Sequence, residues 1–236
     1  MSTAIATHIS PEDFEADPRA ICVFCASNPG IKNEYREAAE SLGEALAQTS
    51  HPLVYGGGDR GLMGVLSAQV ISSGGNVTGV LPRAMVVAGG EGTGKVENTH
   101  AVDLPPDTHQ FKHIVVTSMH ERKTLMAKIA GGGFMALPGG FGTFEEVLEM
   151  ITWSQIGIHQ KPMVLLNVLG FWEPLRDLID NAMKEEFIQR KNRALVIFVD
   201  PPVSGGETFN WGQAAVEALE NWETPSDAGL FSWKET

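Results

Sequence analysis

The sequence feature that most constrains the fold is a glycine-rich turn that joins an apolar run to an amphipathic segment. Residues 133–137 (GFMAL) are short and apolar, as in a buried strand, and residues 144–151 carry apolar side chains at helical spacing. Between them, Gly139, Gly140 and Gly142 allow positive φ angles and close approach to a ligand. A helix N-terminus behind such a turn is a site for anions, most often phosphate. The pattern therefore predicts a phosphate-binding loop, with an ordinary strand-to-helix turn as the alternative.

Thr143 and Glu146 lie three residues apart and have two interpretations. Thr143 is placed to cap the helix, and T-x-x-E is the pattern of a capping box, in which the Glu146 carboxylate returns to the amide of the cap residue. A phosphate bound at the same helix end would displace the box, because two anions compete for the same donors. Glu146 would then be available for chemistry. The sequence leaves both roles open.

Composition excludes several classes of protein. The chain has 236 residues, 43% of them hydrophobic, and a formal net charge of −12. The length suffices for one substantial core. The negative charge argues against a nucleic-acid duplex or an anionic membrane as partner. Because no apolar run reaches membrane-spanning length and the first residues lack the regions of a signal peptide, we expect a soluble cytoplasmic protein.

Strand-like runs alternate with helical segments along most of the chain. This alternation predicts an α/β fold of three layers, with a parallel sheet flanked by helices on both faces. Ligands of such folds bind at the carboxyl ends of the strands, and the glycine-rich loops at 56–64 and 138–142 both fall there. We expect a flexible extension over residues 1–18, one domain over 19–221 and a tail over 222–236.

A second candidate site residue, Arg122, comes from a segment that we predict to be a long helix over residues 111–130. A strand is expected before it, at residues 99–104. On one helix, Arg122 would lie in the middle of an apolar stripe. That stripe consists of Val115, Met119, Leu125, Met126 and Ile129. A guanidinium there is costly unless it is paired, so Arg122 either extends to the surface or faces the ligand site.

Two nucleotide-binding motifs are incomplete in this chain. A dinucleotide dehydrogenase would carry G-x-G-x-x-G after the first strand, where residues 26–30 are ASNPG, so hydride transfer is not expected. Residues 89–95 (GGEGTGK) match the start of a P-loop, but Val96 replaces the magnesium-binding Ser or Thr and no clear helix follows. We expect a surface loop there instead of an ATPase site.

The two cysteines, Cys22 and Cys25, have the C-x-x-C spacing of a redox motif. They lie within a predicted strand at residues 20–26, whereas a thioredoxin-like motif would begin a helix. We therefore expect buried thiols that act as small apolar side chains.

Several separated motifs, taken in order, resemble the LONELY GUY family of cytokinin-activating phosphoribohydrolases. The hallmark of that family is P-G-G-x-G-T-x-x-E, which residues 138–146 match as PGGFGTFEE, with MHERK at 119–123 upstream. The resemblance covers about residues 20–190. Its further segments are CVFC (22–25), YGGG (55–58), GLMG (61–64) and ITWSQIGIHQKP (151–162).

The resemblance implies a Rossmann-like fold, a homodimer or larger homo-oligomer, and a small-molecule nucleotide as substrate. It implies hydrolysis of N6-substituted adenosine 5′-monophosphates to free base and ribose 5-phosphate, without a metal or redox cofactor. Arg122 and Glu146 would be the catalytic pair. The phosphate is expected at Gly139, Gly140, Gly142 and Thr143, with Ser27 beside them, and the ribose and base at Met119, Gly57 and Gly58. A core role for Met119 stays open.

Two other functions remain open at this stage. A general purine nucleosidase would use the same chemistry on AMP itself, and a non-catalytic carrier of a nucleotide or cofactor would use the same fold and loop. A carrier gains nothing from a carboxylate beside a phosphate, so Arg122 and Glu146 together argue against it. The label of lysine decarboxylase, also given to this family, finds no support in a recognisable pyridoxal-phosphate lysine.

Overall fold

A computed structural model of the protein describes residues 14–87, 108, 110–202, 209–225 and 231. Within these residues, seven parallel strands form one sheet. The strands are β1 (Ile21–Phe24), β2 (Leu53–Tyr55), β3 (Val77–Pro82), β4 (Phe111–Val116), β5 (Gly133–Ala136), β6 (Met163–Leu166) and β7 (Val196–Val199). The α-helices are α1 (Asn33–Gln48), α2 (Gly61–Ser72), α3 (Arg83–Val87), α4 (Met119–Ile129), α5 (Phe141–Ile156), α6 (Glu173–Lys184) and α7 (Trp211–Glu220). Short 3-10 turns cover Val168–Gly170 and Arg190–Leu195.

The order of the strands places a crevice in the middle of the sheet. The order is β4-β3-β2-β1-β5-β6-β7, so the chain builds outward from β1 to β4 and then returns to place β5 on the other side of β1. Both β2 and β5 pair with β1 in parallel. The direction of winding therefore reverses between β1 and β5. In open α/β sheets, ligands bind at the carboxyl ends of the strands at this switch point.

Separate apolar cores cover the two faces of the sheet. Along β1, Ile21 and Val23 belong to one core and Cys22 and Phe24 to the other, as the alternation of a strand requires. The first core includes buried residues of α1, α2 and α7, and the second includes buried residues of α4, α5 and α6. The predicted α/β fold of three layers with a parallel sheet is confirmed.

The same alternation explains the two cysteines. Cys22 and Cys25 are both buried and free, and they lie in different cores. Burial raises the pKa of both thiols, which keeps them protonated and apolar. The prediction of buried thiols is confirmed.

The predicted helix over residues 111–130 is wrong in its first third. Phe111–Val116 is strand β4, which pairs with β3 along its whole length. The run Ile114-Val115-Val116 is β-branched and favours a strand, so Val115 is not part of a helical stripe with Arg122.

A missed capping signal marks the true start of α4. Ser118 is the N-cap, and its Oγ accepts a hydrogen bond from the backbone N–H of Glu121 at 3.1 Å. The Glu121 carboxylate in turn accepts from the backbone N–H of Thr117 at 2.8 Å. S-x-x-E is a helix-start pattern, so residues 118–121 carried the information that the helix prediction ignored.

Some predictions fall on residues outside those that the structure describes. These are the strand at 99–104, the surface loop at 89–95, most of the extension over 1–18 and most of the tail. At the inner border of the extension, the backbone N–H of Asp17 donates to the carbonyl of Ile129 at 3.0 Å. At the border of the tail, the indole Nε1 of Trp222 donates to the carbonyl of Ala194 at 2.9 Å. In the part of the chain that is described, none of the helices combines the length and apolar character needed to cross a membrane.

Gly57 tests how tightly the loop after β2 is packed, and Gly74, which follows α2, is its control. Both have positive φ, at 81° and 84°. A Cβ at Gly57 would lie 2.6 Å from Leu81 Cδ1, whereas a Cβ at Gly74 would meet nothing within 4 Å. We expect Gly57→Ala to lower the free energy of unfolding by about 1–3 kcal/mol more than Gly74→Ala, because only the first adds overpacking to backbone strain. Urea unfolding of both variants measures the difference, and equal losses would show that the Leu81 contact yields freely.

Candidate functional site

A cavity of about 240 Å³ opens at the carboxyl ends of the central strands, at the switch point between β1 and β5. Its walls come from several separate parts of the chain. The segment after β1 contributes Cys25 and Ser27, the segment after β2 contributes Gly56, α3 contributes Met85, and α4 and α5 contribute the remaining polar side chains. The position agrees with the predicted ligand edge of the sheet.

The N-terminus of α5 forms one wall of this cavity. The helix begins at Phe141, with Gly140 as an N-cap that supplies no side-chain hydrogen bond. The first backbone hydrogen bond of the helix runs from Phe144 N–H to Gly140 O at 2.9 Å. The amides of the first turn therefore have no acceptor within the helix, and they lie where Gly140, Gly142 and Thr143 line the cavity. A helix end of this kind attracts anions.

The predicted cap at Thr143 is wrong. Thr143 is the third residue of α5 and is buried, with 4% of its surface exposed. Its side chain packs on Gly139, where any Cβ would collide with Thr143 Oγ1. Gly139 is thus required by the fold of the loop, and it is not among the described residues that line the cavity.

Because Thr143 is not the N-cap, the capping-box interpretation of Glu146 is also wrong. Glu146 is the sixth residue of α5, beyond the first turn, and it is half-buried in the cavity wall. After burial itself, the charge of Glu146 is the effect that raises the pKa of the Cys25 thiol. The charge of this carboxylate is therefore felt by Cys25, another residue of the cavity wall. Of the two roles that the sequence left open for Glu146, only the chemical one remains to be tested.

Arg122 lies inside the protein and lines the same cavity as Glu146. Only 4% of its surface is exposed, so the alternative of a stem extending to the surface is wrong. Its Nε donates to the carbonyl of Val80 at 3.1 Å and its Nη2 to the carbonyl of Gly56 at 2.8 Å. Its Nη1 lies 3.8 Å from the sulfur of Met85 and 3.9 Å from that of Met119. These contacts fix the plane of the guanidinium at the cavity wall.

The cavity brings together most of the predicted site residues. It is lined by Ser27, Met119, Arg122, Gly140, Gly142, Thr143 and Glu146. Met119 is 41% exposed, so a core role for it is wrong. The predicted Gly57 and Gly58 are buried and are not among the described residues that line the cavity; Gly56 takes that place instead.

The sequence did not identify Gly56, Met85 or Glu145 as residues of the site. Gly56 acts through its backbone carbonyl, which carries no side-chain signal. Met85 lies on the five-residue helix α3, which was not predicted, and Glu145 was visible only as the neighbour of Glu146.

The arrangement can hold an anionic ligand in a defined orientation. The amides of the first turn of α5 can bind an anionic group, and the guanidinium of Arg122 places positive charge in the wall of the same cavity. The carboxylate of Glu146 lines the same cavity, where it can orient a water molecule or stabilise a positive charge that develops on the ligand.

Comparison of the sequence with known proteins shows the family to which the chain belongs. Residues 63–205 match a family model described as "Possible lysine decarboxylase". The chain is 44% identical over 181 residues to the cytokinin riboside 5′-monophosphate phosphoribohydrolase LOG of Oryza sativa subsp. japonica, covering 76% of this chain and 67% of the relative. It is 42% identical over 188 residues to the phosphoribohydrolase LOG2 of Arabidopsis thaliana, covering 79% of this chain and 80% of the relative.

Among solved structures, similar folds occur in molybdenum cofactor proteins. The carrier protein from Chlamydomonas reinhardtii superposes with a TM-score of 0.51 at 23% identity, over 88% of this chain and 99% of that one. The molybdenum cofactor binding protein from Rippkaea orientalis gives a TM-score of 0.53 at 18% identity, over 86% of this chain and 96% of that one. At these identities the likeness concerns the fold alone.

Proposed function

Since the chain belongs to the LONELY GUY family of cytokinin riboside 5′-monophosphate phosphoribohydrolases, we propose that it hydrolyses the N-glycosidic bond of N6-substituted adenosine 5′-monophosphates. The products are the free base and ribose 5-phosphate. One observation carries the proposal: the first turn of α5, the Glu146 carboxylate and the buried Arg122 guanidinium line the same cavity. Hydrolysis of a nucleoside monophosphate requires one group that binds the phosphate, one that acts on the sugar and one that acts on the departing base.

The phosphate provides binding energy away from the reacting bond. Bound to the amides of Phe141, Gly142 and Thr143, with Ser27 across the cavity, it fixes the position of the ribose. Binding energy of a remote group that is used to orient the reacting atoms raises the rate of the chemical step. A riboside without phosphate should therefore be a poor substrate.

Glu146 acts on the sugar. Cleavage of an N-glycosidic bond builds positive charge on the ribose ring, as in other glycoside chemistry. A carboxylate beside the ring stabilises that charge, either directly through the ribose hydroxyls or by orienting the water that attacks the anomeric carbon. The water adds to that carbon as the bond to the base nitrogen breaks, and the proton that the water loses ends on the departing base.

Arg122 acts on the departing base. As the glycosidic bond breaks, negative charge develops on the base, and a guanidinium held by Val80 and Gly56 neutralises it without having to reorient. Met119, which is partly exposed in the same wall, contacts the base.

Decarboxylation of lysine has no matching chemistry in this cavity. Pyridoxal-phosphate enzymes hold their cofactor through a lysine amine. Among the described residues that line the cavity, none is a lysine. The nearby Lys123 is engaged by two glutamates.

Association into a homodimer or larger homo-oligomer is part of the proposal. Three large apolar side chains of α5 are exposed at helical spacing: Phe141 (91%), Phe144 (36%) and Leu148 (46%). Large apolar side chains grouped in this way beside a ligand site are typical of a surface that a second copy covers. The cytoplasmic location stays a prediction of the sequence.

The reaction class is tested by incubating the protein with isopentenyladenosine monophosphate, its riboside and AMP. We expect free base and ribose 5-phosphate from the N6-substituted monophosphate, and little release from the riboside. Chromatography of the bases measures all three reactions. A rate on AMP equal to that on the prenylated nucleotide would establish a general purine nucleosidase, and equal rates on monophosphate and riboside would contradict the role of the phosphate.

Glu146→Gln tests the carboxylate. Glutamine keeps the shape of the side chain and removes its charge, and Glu146 is no part of a capping box whose loss would weaken the start of α5. We expect kcat to fall by about 100-fold to 10,000-fold with little change in the affinity for nucleotide. Single-turnover rates and calorimetric binding of AMP measure the two quantities. Wild-type kcat in this variant would remove Glu146 from the mechanism.

Gly142→Ala tests the phosphate position separately from the fold. A Cβ at Gly142 meets nothing within 4 Å, and alanine favours a helix by about 1 kcal/mol over glycine, so the variant should be at least as stable as the wild type. The added methyl lies beside the amides that receive the phosphate. We expect KM for the monophosphate to rise roughly tenfold or more, since contact with the ligand is lost in both ground and transition states. The slow reaction of the riboside is the control and should not change.

A further inference from the structure

Lys123 occupies a junction between the helices that carry the two proposed catalytic side chains. It follows Arg122 on α4, and its Nζ lies 2.5 Å from Glu145 Oε1 and 2.9 Å from Glu149 Oε1 on α5. Glu145 and Glu149 are one helical turn apart, and Glu146 lies next to the first of them. One ammonium group therefore ties the helix of Arg122 to the helix of Glu146.

This junction is more than an exposed surface pair. The side chains of Lys123 and Glu149 are 16% and 23% exposed, and the second carboxylate oxygen of Glu149 is buried. Burial by itself would lower the pKa of Lys123, but the hydrogen bonds to Glu145 and Glu149 raise it overall. The lysine is therefore fully charged at neutral pH. Without it, two glutamates at i and i+4 would repel each other beside the cavity.

The junction also faces the site. Glu145 lines the cavity together with Glu146 and Arg122, whereas Lys123 itself is not among the described lining residues. The lysine thus lies behind the wall and contacts the reacting groups only through their neighbours. Apolar side chains of α4 and α5 pack in the same core, and this ion cluster adds a polar link between the two helices beside the cavity.

We propose that Lys123 is a positioning residue, which through Glu145 and Glu149 holds α4 and α5 at the separation that the Arg122–Glu146 pair needs for hydrolysis. This inference rests on the proposed function. A displacement of about 1 Å between groups that must act together can cost roughly 100-fold in rate. The phosphate amides belong to α5 alone and do not depend on the link.

Lys123→Met is the test, with Lys128→Met as the control. The control removes the same charge from the same helix at a residue for which the structure shows no ion pair within the described ranges. We expect Lys123→Met to lower kcat for the prenylated monophosphate by about 10-fold to 100-fold, with KM changed by less than about threefold. Lys123→Arg should restore kcat to within about threefold, because a guanidinium can also bridge two carboxylates.

A second readout does not depend on activity. Cys25 lines the cavity and is 7% exposed, whereas Cys22 is fully buried and lies in the other core. Because burial raises the pKa of the Cys25 thiol, it reacts slowly while the cavity walls are held together. We expect labelling of Cys25 by N-ethylmaleimide, followed by mass spectrometry, to be several-fold faster in Lys123→Met and unchanged in Lys128→Met. Cys22 should stay unlabelled in all variants, which shows that the fold is intact.

The outcomes separate the two proposals. If the wild type hydrolyses none of the nucleotides, the proposed function is wrong, and the labelling rate of Cys25 alone decides on the link. Wild-type kcat and wild-type labelling in Lys123→Met would overturn the positioning role. A loss of kcat that Lys123→Arg does not restore, with labelling unchanged, would also overturn it, because the ammonium would then take part in the chemistry itself.

Discussion

The burial of one guanidinium is the constraint on which the site depends. Taking the charge of Arg122 out of water costs several kcal/mol unless other groups replace the lost hydration. The carbonyls of Val80, in the second half of β3, and of Gly56, directly after β2, do so. Arg122 can therefore be buried only where the ends of β2 and β3 present their backbone to α4. The sheet topology and the charge at the cavity wall support each other.

The remaining parts of the site follow from the reversal of winding between β1 and β5. The N-terminus of α5 lies in the crevice at that point. Its N-cap, Gly140, supplies no side-chain hydrogen bond, and its first turn lines the cavity. Positive potential thus comes from two sources of different kind, a helix end and a side chain, while Glu146 contributes the negative charge. A nucleotide with an anionic phosphate and a sugar that becomes positive during cleavage matches this distribution. The chain as a whole carries a net charge of −12, so the attraction for an anion is local.

The sequence predicted the parts of this account that depend on side-chain pattern. Alternating strands and helices gave the parallel sheet, and the glycine-rich loop gave the helix end. Two of the shortfalls share a physical cause, which is that backbone groups leave no side-chain pattern in the sequence. Thr143 was taken as the cap because T-x-x-E is a capping pattern, but α5 begins earlier, at a glycine whose backbone alone serves as the N-cap. The partners of Arg122 are backbone carbonyls, 42 and 66 residues away in the chain, and any residue type could supply them. Only the fold brings them together.

A structure of the Glu146→Gln protein with a bound N6-substituted adenosine monophosphate tests the central claim most directly. The account predicts a phosphate within hydrogen-bonding distance of the amides of Phe141, Gly142 and Thr143, with the anomeric carbon between Arg122 and position 146. A phosphate bound elsewhere, or a nucleotide whose sugar lies outside the space between these two residues, would contradict it.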